Sequence, residues 1–416
     1  MSNTQDVNTT EHGQQEELPS YPFPFVEHSL ERPAIFDHLQ KECPVAHVKM
    51  PFGGNAYLLM QHADVVKAYT DPRCGMALGL DGDVPRLEAG DVTGNMGDTL
   101  FSVSDARHNK VRRLVTQAFT VKHANELRPR VVEVTNKLVD AMEQAGPPAD
   151  LFEDYAIQTP MTVICELLGI PREDEKLFRD WGRVVLSTTM PLEEKQSRWM
   201  MMMRYIMPLI ERERVQPRNN VLGLLVKAHE QGEEVITQTE MLTLAAGLIA
   251  AGFETVSTTF INSAFILLQR PDLLEQLKER VDDPERMASA IEEILRITPI
   301  GVGRTRITRS DIDFSGTTLG SGEVLVLTST AANFDEAVFP AAKEIDFDRE
   351  TNPNVTFGRG IHSCIGQQIA RMELQTLWST LLKRLPTIRL SVAPEEVPWR
   401  SDDALTFGPA HLPVTW

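Results

Sequence analysis

The chain of 416 residues carries 59 acidic against 41 basic side chains, a formal charge of −18, which disfavours a generic nucleic-acid binder. With 42% hydrophobic and 24% charged residues it has an ordinary globular composition, so wholesale disorder is excluded. Cys43, Cys74, Cys165 and Cys364 are too few and too scattered for a disulfide scaffold.

The first 20 residues are polar and acidic and cannot repay the entropy of ordering, so they read as a mobile tail. They lack the basic start and apolar run of a signal peptide, and no stretch of 18 apolar residues follows, which predicts a cytoplasmic protein without membrane contact. From 21 to 416 no linker or repeat interrupts the sequence, so a single domain is expected.

Residues 75–98 hold six glycines and read as a long loop. Helical periodicity then dominates from about 104 to 300. Its clearest helix runs from Thr237 to Gln269, opened by a Thr237/Glu240 capping box and ended before Pro271. Its middle, LTLAAGLIAAGF, is apolar on all sides and predicts burial. The run Trp199-Met200-Met201-Met202-Met203 reads as helix packing. Residues 301–330 alternate in short strand-like runs, and the last thirty residues are strand-and-turn rich. The expected class is mainly α with a small β portion.

Before a strongly helical stretch, residues 357–366 read Phe-Gly-Arg-Gly-Ile-His-Ser-Cys-Ile-Gly. Amides and dipole at a helix start favour a thiolate at Cys364, and Gly358 and Gly360 let backbone N–H groups turn toward the sulfur. A lone cysteine is ordinarily a small buried hydrophobe. This decapeptide, however, resembles the FGxGxHxCxG heme-binding signature of the cytochrome P-450 superfamily at all six specified positions, a chance match in on the order of one chain in a million.

The resemblance covers nearly the whole chain from about residue 20. It implies a P-450 fold with a long central helix over heme b, and Cys364 as axial ligand donating electron density that assists O–O cleavage. Phe357 would pack against the cofactor near the sulfur, with Gly358 and Gly366 also binding it, and His362 would lie near a propionate. Ala251-Gly252-Phe253-Glu254-Thr255 is similar to the family's AGx(D/E)T segment, in which Ala251 borders the cofactor, Gly252 would leave room for dioxygen, and Glu254 and Thr255 would relay protons. His108 and Arg112 in DARHNKVRRLV, together with Arg306, correspond to residues that hold the propionates. Asp105 and Ala106 stand where the family often has two prolines, so the local turn is expected to differ. Glu293 and Arg296, with Arg349, match a structural triad that braces the cysteine loop.

By the same resemblance the enzyme is a monooxygenase of the type found in actinomycete natural-product pathways, hydroxylating or epoxidising a largely apolar or aromatic secondary metabolite. Electrons would come from ferredoxin and an NAD(P)H-dependent ferredoxin reductase, docking on a basic patch of Arg112, Arg113, Arg359 and Arg371. The substrate would meet the 75–98 loop, the 170–210 region, Ala250, Ala251, residues 300–303 and the turn near Phe407, with Arg304 as a partner for an acidic or carbonyl group. Oxidative C–C or C–N coupling of aromatic or cyclic-dipeptide substrates uses the same machinery, and a non-catalytic heme-binding module is a third reading.

Overall fold

A computed structural model describes residues 18–77, 84–88, 105–171, 174, 177–179, 181, 187–232, 234–400 and 405–416. Most of the expected tail and most of the 75–98 loop lie outside these residues. The described end of the tail is not loose, because Lys49 donates its amide to the Pro19 carbonyl at 3.0 Å.

Helices build the bulk of the molecule, as expected. Leu192–Val215, Val221–His229 and the central helix form one layer, while Val121–Ala145 packs along Gln367–Arg384. Between them lies a large apolar core in which the Phe260 ring sits 5.0 Å from Trp378 and 5.7 Å from Tyr155. Tyr155 satisfies its buried hydroxyl by donating to the Leu377 carbonyl at 2.8 Å, so the aromatic cluster carries no orphaned phenol. The methionine run is helical. Trp199, Met202 and Met203 are buried, while Met200 and Met201 face outward.

The main sheet orders its five strands as Val45–Lys49, Asn55–Leu59, Val324–Leu327, Arg304–Thr308 and Cys74–Met76. Asn55–Leu59 runs parallel to Val324–Leu327, and every other pairing is antiparallel. The two N-terminal strands were not anticipated; the strands at 304–327 were. A small sheet near the C-terminus joins Ala149–Asp150, Pro413–Thr415 and Arg389–Leu390.

The central helix is not the continuous rod the periodicity suggests. Its capping box is present, with Glu240 N–H donating to Thr237 Oγ1 at 3.1 Å and Thr237 N–H to Glu240 Oε2 at 2.8 Å. The helix then divides into Gln238–Gly252 and Glu254–Leu268, with Phe253 at φ −113° between them. The cause is local competition for carbonyls. Thr255 Oγ1 donates to Ala251 O at 2.9 Å and Ser257 Oγ to Phe253 O at 2.7 Å, beside a glycine that has little helix preference. The apolar stretch spanning both halves is long enough to cross a membrane, and it is mostly buried within the protein.

Candidate active site

The break in the central helix faces the cysteine loop. Cys364 stands before the helix Gln367–Arg384, whose N-cap is Gly366. Its loop is a tight reversal in which the Cys364 amide donates to Phe357 O at 2.8 Å, and Gly358 and Gly360 adopt φ of +64° and +71°. A side chain at Gly360 would place its Cβ 2.5 Å from the Tyr69 carbonyl oxygen, so only glycine fits there.

A buried ion cluster holds this loop from behind. Glu293 accepts from Arg296 at 2.7 and 2.8 Å, from Arg349 at 3.2 Å, from Asn352 at 3.0 Å and from the Asp346 amide at 3.0 Å. Burial alone would raise the Glu293 carboxyl, but the hydrogen bonds and charge of Arg296 outweigh it and hold the group below its ordinary value. Asn333 carries the restraint forward. Its Nδ2 donates to the Arg296 carbonyl at 3.1 Å and its Oδ1 accepts the Val355 amide at 2.8 Å, two residues before Phe357. The expected triad therefore meets at one carboxylate.

Cys364 is exposed, yet it sits in a cleft rather than on a convex surface. The cleft is lined by Phe119, Ile164, Ala251, Gly252, Thr255 and Val256 as well as Phe357, Cys364, Gly366 and Glu373. Ala251 is exposed to it, although Ala250, Phe253 and Glu254 beside it are buried. Desolvation pushes the Cys364 thiol up in this protein; a hydrogen bond from the Gly366 amide and the charges of Arg112, Arg304 and Arg371 act in the opposite direction. This revises the sequence reading twice. The net shift is upward, and the amide that reaches the sulfur belongs to Gly366 rather than to the Gly358 and Gly360 turn.

On the same side the structure gathers basic groups. His108 is buried with Nδ1 lacking a partner, and burial lowers its pKa to about 4, with the charges of His362 and Arg112 acting in the same direction. Arg306 is 5% exposed and makes no ion pair among the described residues; its guanidinium lies 5.2 Å over the Tyr69 ring. Arg112 likewise lacks an acidic partner among them. Buried cations and an orphaned imidazole call for an anionic partner. A heme, with two carboxylates and an iron that accepts a thiolate, satisfies both the basic group and Cys364.

Asp105 opens the helix Asp105–Thr116 and joins two parts of the site, accepting from Arg309 at 2.7 Å and pairing with His362 at 3.4 Å. Sequence reasoning noticed Asp105 only as a departure from a pattern, and nothing local marked Arg309 as its partner. Two other expectations change. Arg371 spends its charge on Glu292, and Arg112 is half-buried on the inner side, which leaves Arg113 and Arg359 as the exposed members of the expected basic patch. Glu254 does not line the cleft with Thr255; it is buried against Arg400, with Nη1 to Oε1 at 2.7 Å.

The cytochrome P450 family model matches residues 22–413. The mycinamicin IV hydroxylase/epoxidase of Micromonospora griseorubida is 38% identical over 400 residues, covering 95% of this chain and 98% of that protein. The LnmA cytochrome P450 hydroxylase of the leinamycin biosynthetic pathway of Streptomyces atroolivaceus superposes with a TM-score of 0.87 at 34% identity, over 96% of this chain and all of that one. Cytochrome P450mel 107F1, described as having biaryl coupling reactivity, superposes with a TM-score of 0.86 at 31% identity, over 94% and 98% of the two chains. A cysteine loop braced by a buried carboxylate, a broken central helix above it and near-complete matches in sequence and fold agree: the chain belongs to the cytochrome P450 family, whose members are monooxygenases with heme b as cofactor.

Proposed function

We propose that this enzyme oxidises a largely apolar or aromatic small molecule, by hydroxylation or epoxidation, within one catalytic domain spanning 21–416 in the cytoplasm. The observation that carries the reading is the cleft itself, where the thiol of Cys364 and the hydroxyl of Thr255 share a lining that is otherwise apolar apart from Glu373. Cys364 would hold the iron, with Phe357, Gly358 and Gly366 shaping the cysteine side, and His108, Arg112, Arg306 and His362 would pair with the propionates. When bound, the heme supplies oxygen activation.

The chain's own residues supply positioning and protons. Ala251 and Gly252 keep the helix backbone close to the cleft without filling it. Thr255 presents a hydroxyl at the break, where its bond to Ala251 O can exchange for one toward the cleft, and Glu254 is the adjacent acid. Electrons come from a ferredoxin and its NAD(P)H-dependent reductase; the exposed Arg113 and Arg359 beside the cysteine side support an acidic partner there.

Coupling chemistry is a second reading, favoured by the likeness to a P450 described as having biaryl coupling reactivity. The first test is the reduced, CO-bound difference spectrum, in which the long-wavelength band that names the family is expected in the native enzyme and absent from Cys364→Ala. Product mass then separates the outcomes, since hydroxylation adds one oxygen whereas coupling removes two hydrogens.

A further inference from the structure

A second cavity, of about 240 Å³, opens between the helices Val121–Ala145 and Gln367–Arg384 and shares no lining residue with the cleft. The two helices are tied together in register. Arg128 Nη2 donates to Gln375 Oε1 at 2.8 Å, the hydroxyls of Thr135 and Thr380 stand 3.1 Å apart, and Arg384 Nη1 donates to Asn136 Oδ1 at 3.1 Å. Spacings of four place Arg128, Val132 and Asn136 on one wall and Gln375, Ser379 and Lys383 on the other.

The lining is basic. It holds Arg128, Lys383 and Arg384 and no carboxylate, in a chain whose net charge is −18. Nearby acids are spent outside it: Asp140 and Glu143 accept from Arg384 at 2.7 and 2.8 Å, and Asp282 pairs with Lys383 at 2.7 Å. The Lys383 pair is solvent-exposed and therefore weak, so its ammonium keeps charge to offer. Arg128 has no carboxylate partner among the described residues, and burial lowers its pKa without a compensating charge.

Donors outnumber acceptors in this groove. The bond to Gln375 fixes the half-buried Arg128 guanidinium and leaves the rest of its five N–H donors without a partner among the described residues. The Gln375 amide nitrogen and the Ser379 hydroxyl likewise make no hydrogen bond among them, whereas Thr376 is satisfied by the Met372 carbonyl at 2.8 Å. A guanidinium fork on one wall facing an amide, a hydroxyl and an ammonium on the other suits an anion with more than two oxygens. A carboxylate could engage the fork but would leave the opposite wall unmet.

We propose that this groove binds a phosphate-type oxyanion, either inorganic phosphate or a phosphate monoester, gripped by Arg128 and met from across the groove by Gln375, Ser379 and Lys383. The anion bridges Val121–Ala145 to the helix that begins directly behind Cys364, so occupancy adds to the stability of the folded enzyme.

The test uses the heme-loaded enzyme, in which the propionates occupy the His108/Arg306 group and remove it as a competing anion site. Inorganic phosphate and glycerol 3-phosphate are titrated separately at constant ionic strength, with sodium chloride as the balancing salt, and read by calorimetry and by melting temperature. Saturable binding of either compound is expected, with a melting temperature that climbs with its concentration while chloride alone has no such effect; the tighter of the two identifies the source of the phosphate group. Arg128→Gln should weaken binding at least tenfold, and Arg128→Lys should fall between it and native, because an ammonium keeps the charge and loses the fork. Should Arg128→Gln not fold, Gln375→Leu combined with Ser379→Ala strips the opposite wall and is held to the same tenfold loss. No saturable binding of either compound overturns the proposal, and so does native-like binding in Arg128→Gln, which would place the anion elsewhere.

Discussion

The rings of His108 and His362 stand 4.1 Å apart with their planes tilted by 47°. Two imidazoles this close, beside Arg112 and Arg306, concentrate donors where Asp105 is the nearby acid among the described residues. Replacing the buried cation should therefore have opposite effects with and without cofactor. Arg306→Leu is expected to leave the heme-free protein as stable as native or more so, because a buried charge without a carboxylate is removed. It should weaken heme binding by about 10- to 150-fold, the equivalent of about 1.5–3 kcal/mol for a hydrogen bond to a charged group. Titration of heme into the apoprotein, followed by Soret absorbance, measures the second effect and urea unfolding the first.

Glu293 has the opposite character, since its charge is fully shared. Glu293→Gln leaves Arg296 and Arg349 without their carboxylate in a dry site and is expected to cost about 3–5 kcal/mol. Denaturant unfolding of the variant should show a lower midpoint at an unchanged slope. Because Asn333 links Arg296 to the loop before Phe357, heme retention should fall as well.

Glu373 predicts a pH dependence. It is 2% exposed, lines the cleft, and its Oε1 lacks a partner, so burial raises its pKa well above the ordinary value. For an acid whose folded pKa is raised, the unfolded state sheds its proton first as pH increases, and stability falls above the unfolded value of 4.5. Glu373→Gln should remove that slope. The variant's stability relative to native is expected to grow as pH rises from about 4.5 to 8, and parallel unfolding curves across that range check it. Equal slopes in the two proteins would show that Glu373 is not the group responsible.

Gly360→Ala tests the cysteine loop. The positive φ costs an L-residue about 1–2 kcal/mol, and the collision with the Tyr69 carbonyl adds to it. A lower melting temperature with a smaller CO-difference amplitude per protein is expected, whereas alanine at Gly320, whose added Cβ would meet nothing within 4 Å, should be mild by comparison.

Much of this site was legible because its signals are local. The Thr237/Glu240 box and the Glu293/Arg296 spacing each sit within a few residues and each forms as read, while Gly358 and Gly360 take positive φ although the amide that reaches the sulfur is that of Gly366. What escaped depends on distant partners. Arg400 lies 146 residues from Glu254, Arg309 lies 204 from Asp105, and Arg371 lies 79 from Glu292. The break at Phe253 failed for another reason: the apolar pattern that predicts a helix carries no record of hydroxyls competing for its carbonyls. The strands Val45–Lys49 and Asn55–Leu59 are short, and their partners are set by Val324–Leu327 and by a tight turn rather than by strong alternation.

That last pairing constrains how the molecule is made. Asn55–Leu59 is an inner strand of the sheet, and one flank stays open until Val324–Leu327 arrives beside it. During synthesis the N-terminal hairpin must wait for more than half the polypeptide to leave the ribosome, at roughly 5–20 residues per second. For that interval an edge rich in apolar side chains is available to other nascent chains. Expression at reduced temperature or with chaperone supply should therefore raise the soluble yield more than any change to the cleft, since the hazard arises before the cleft exists.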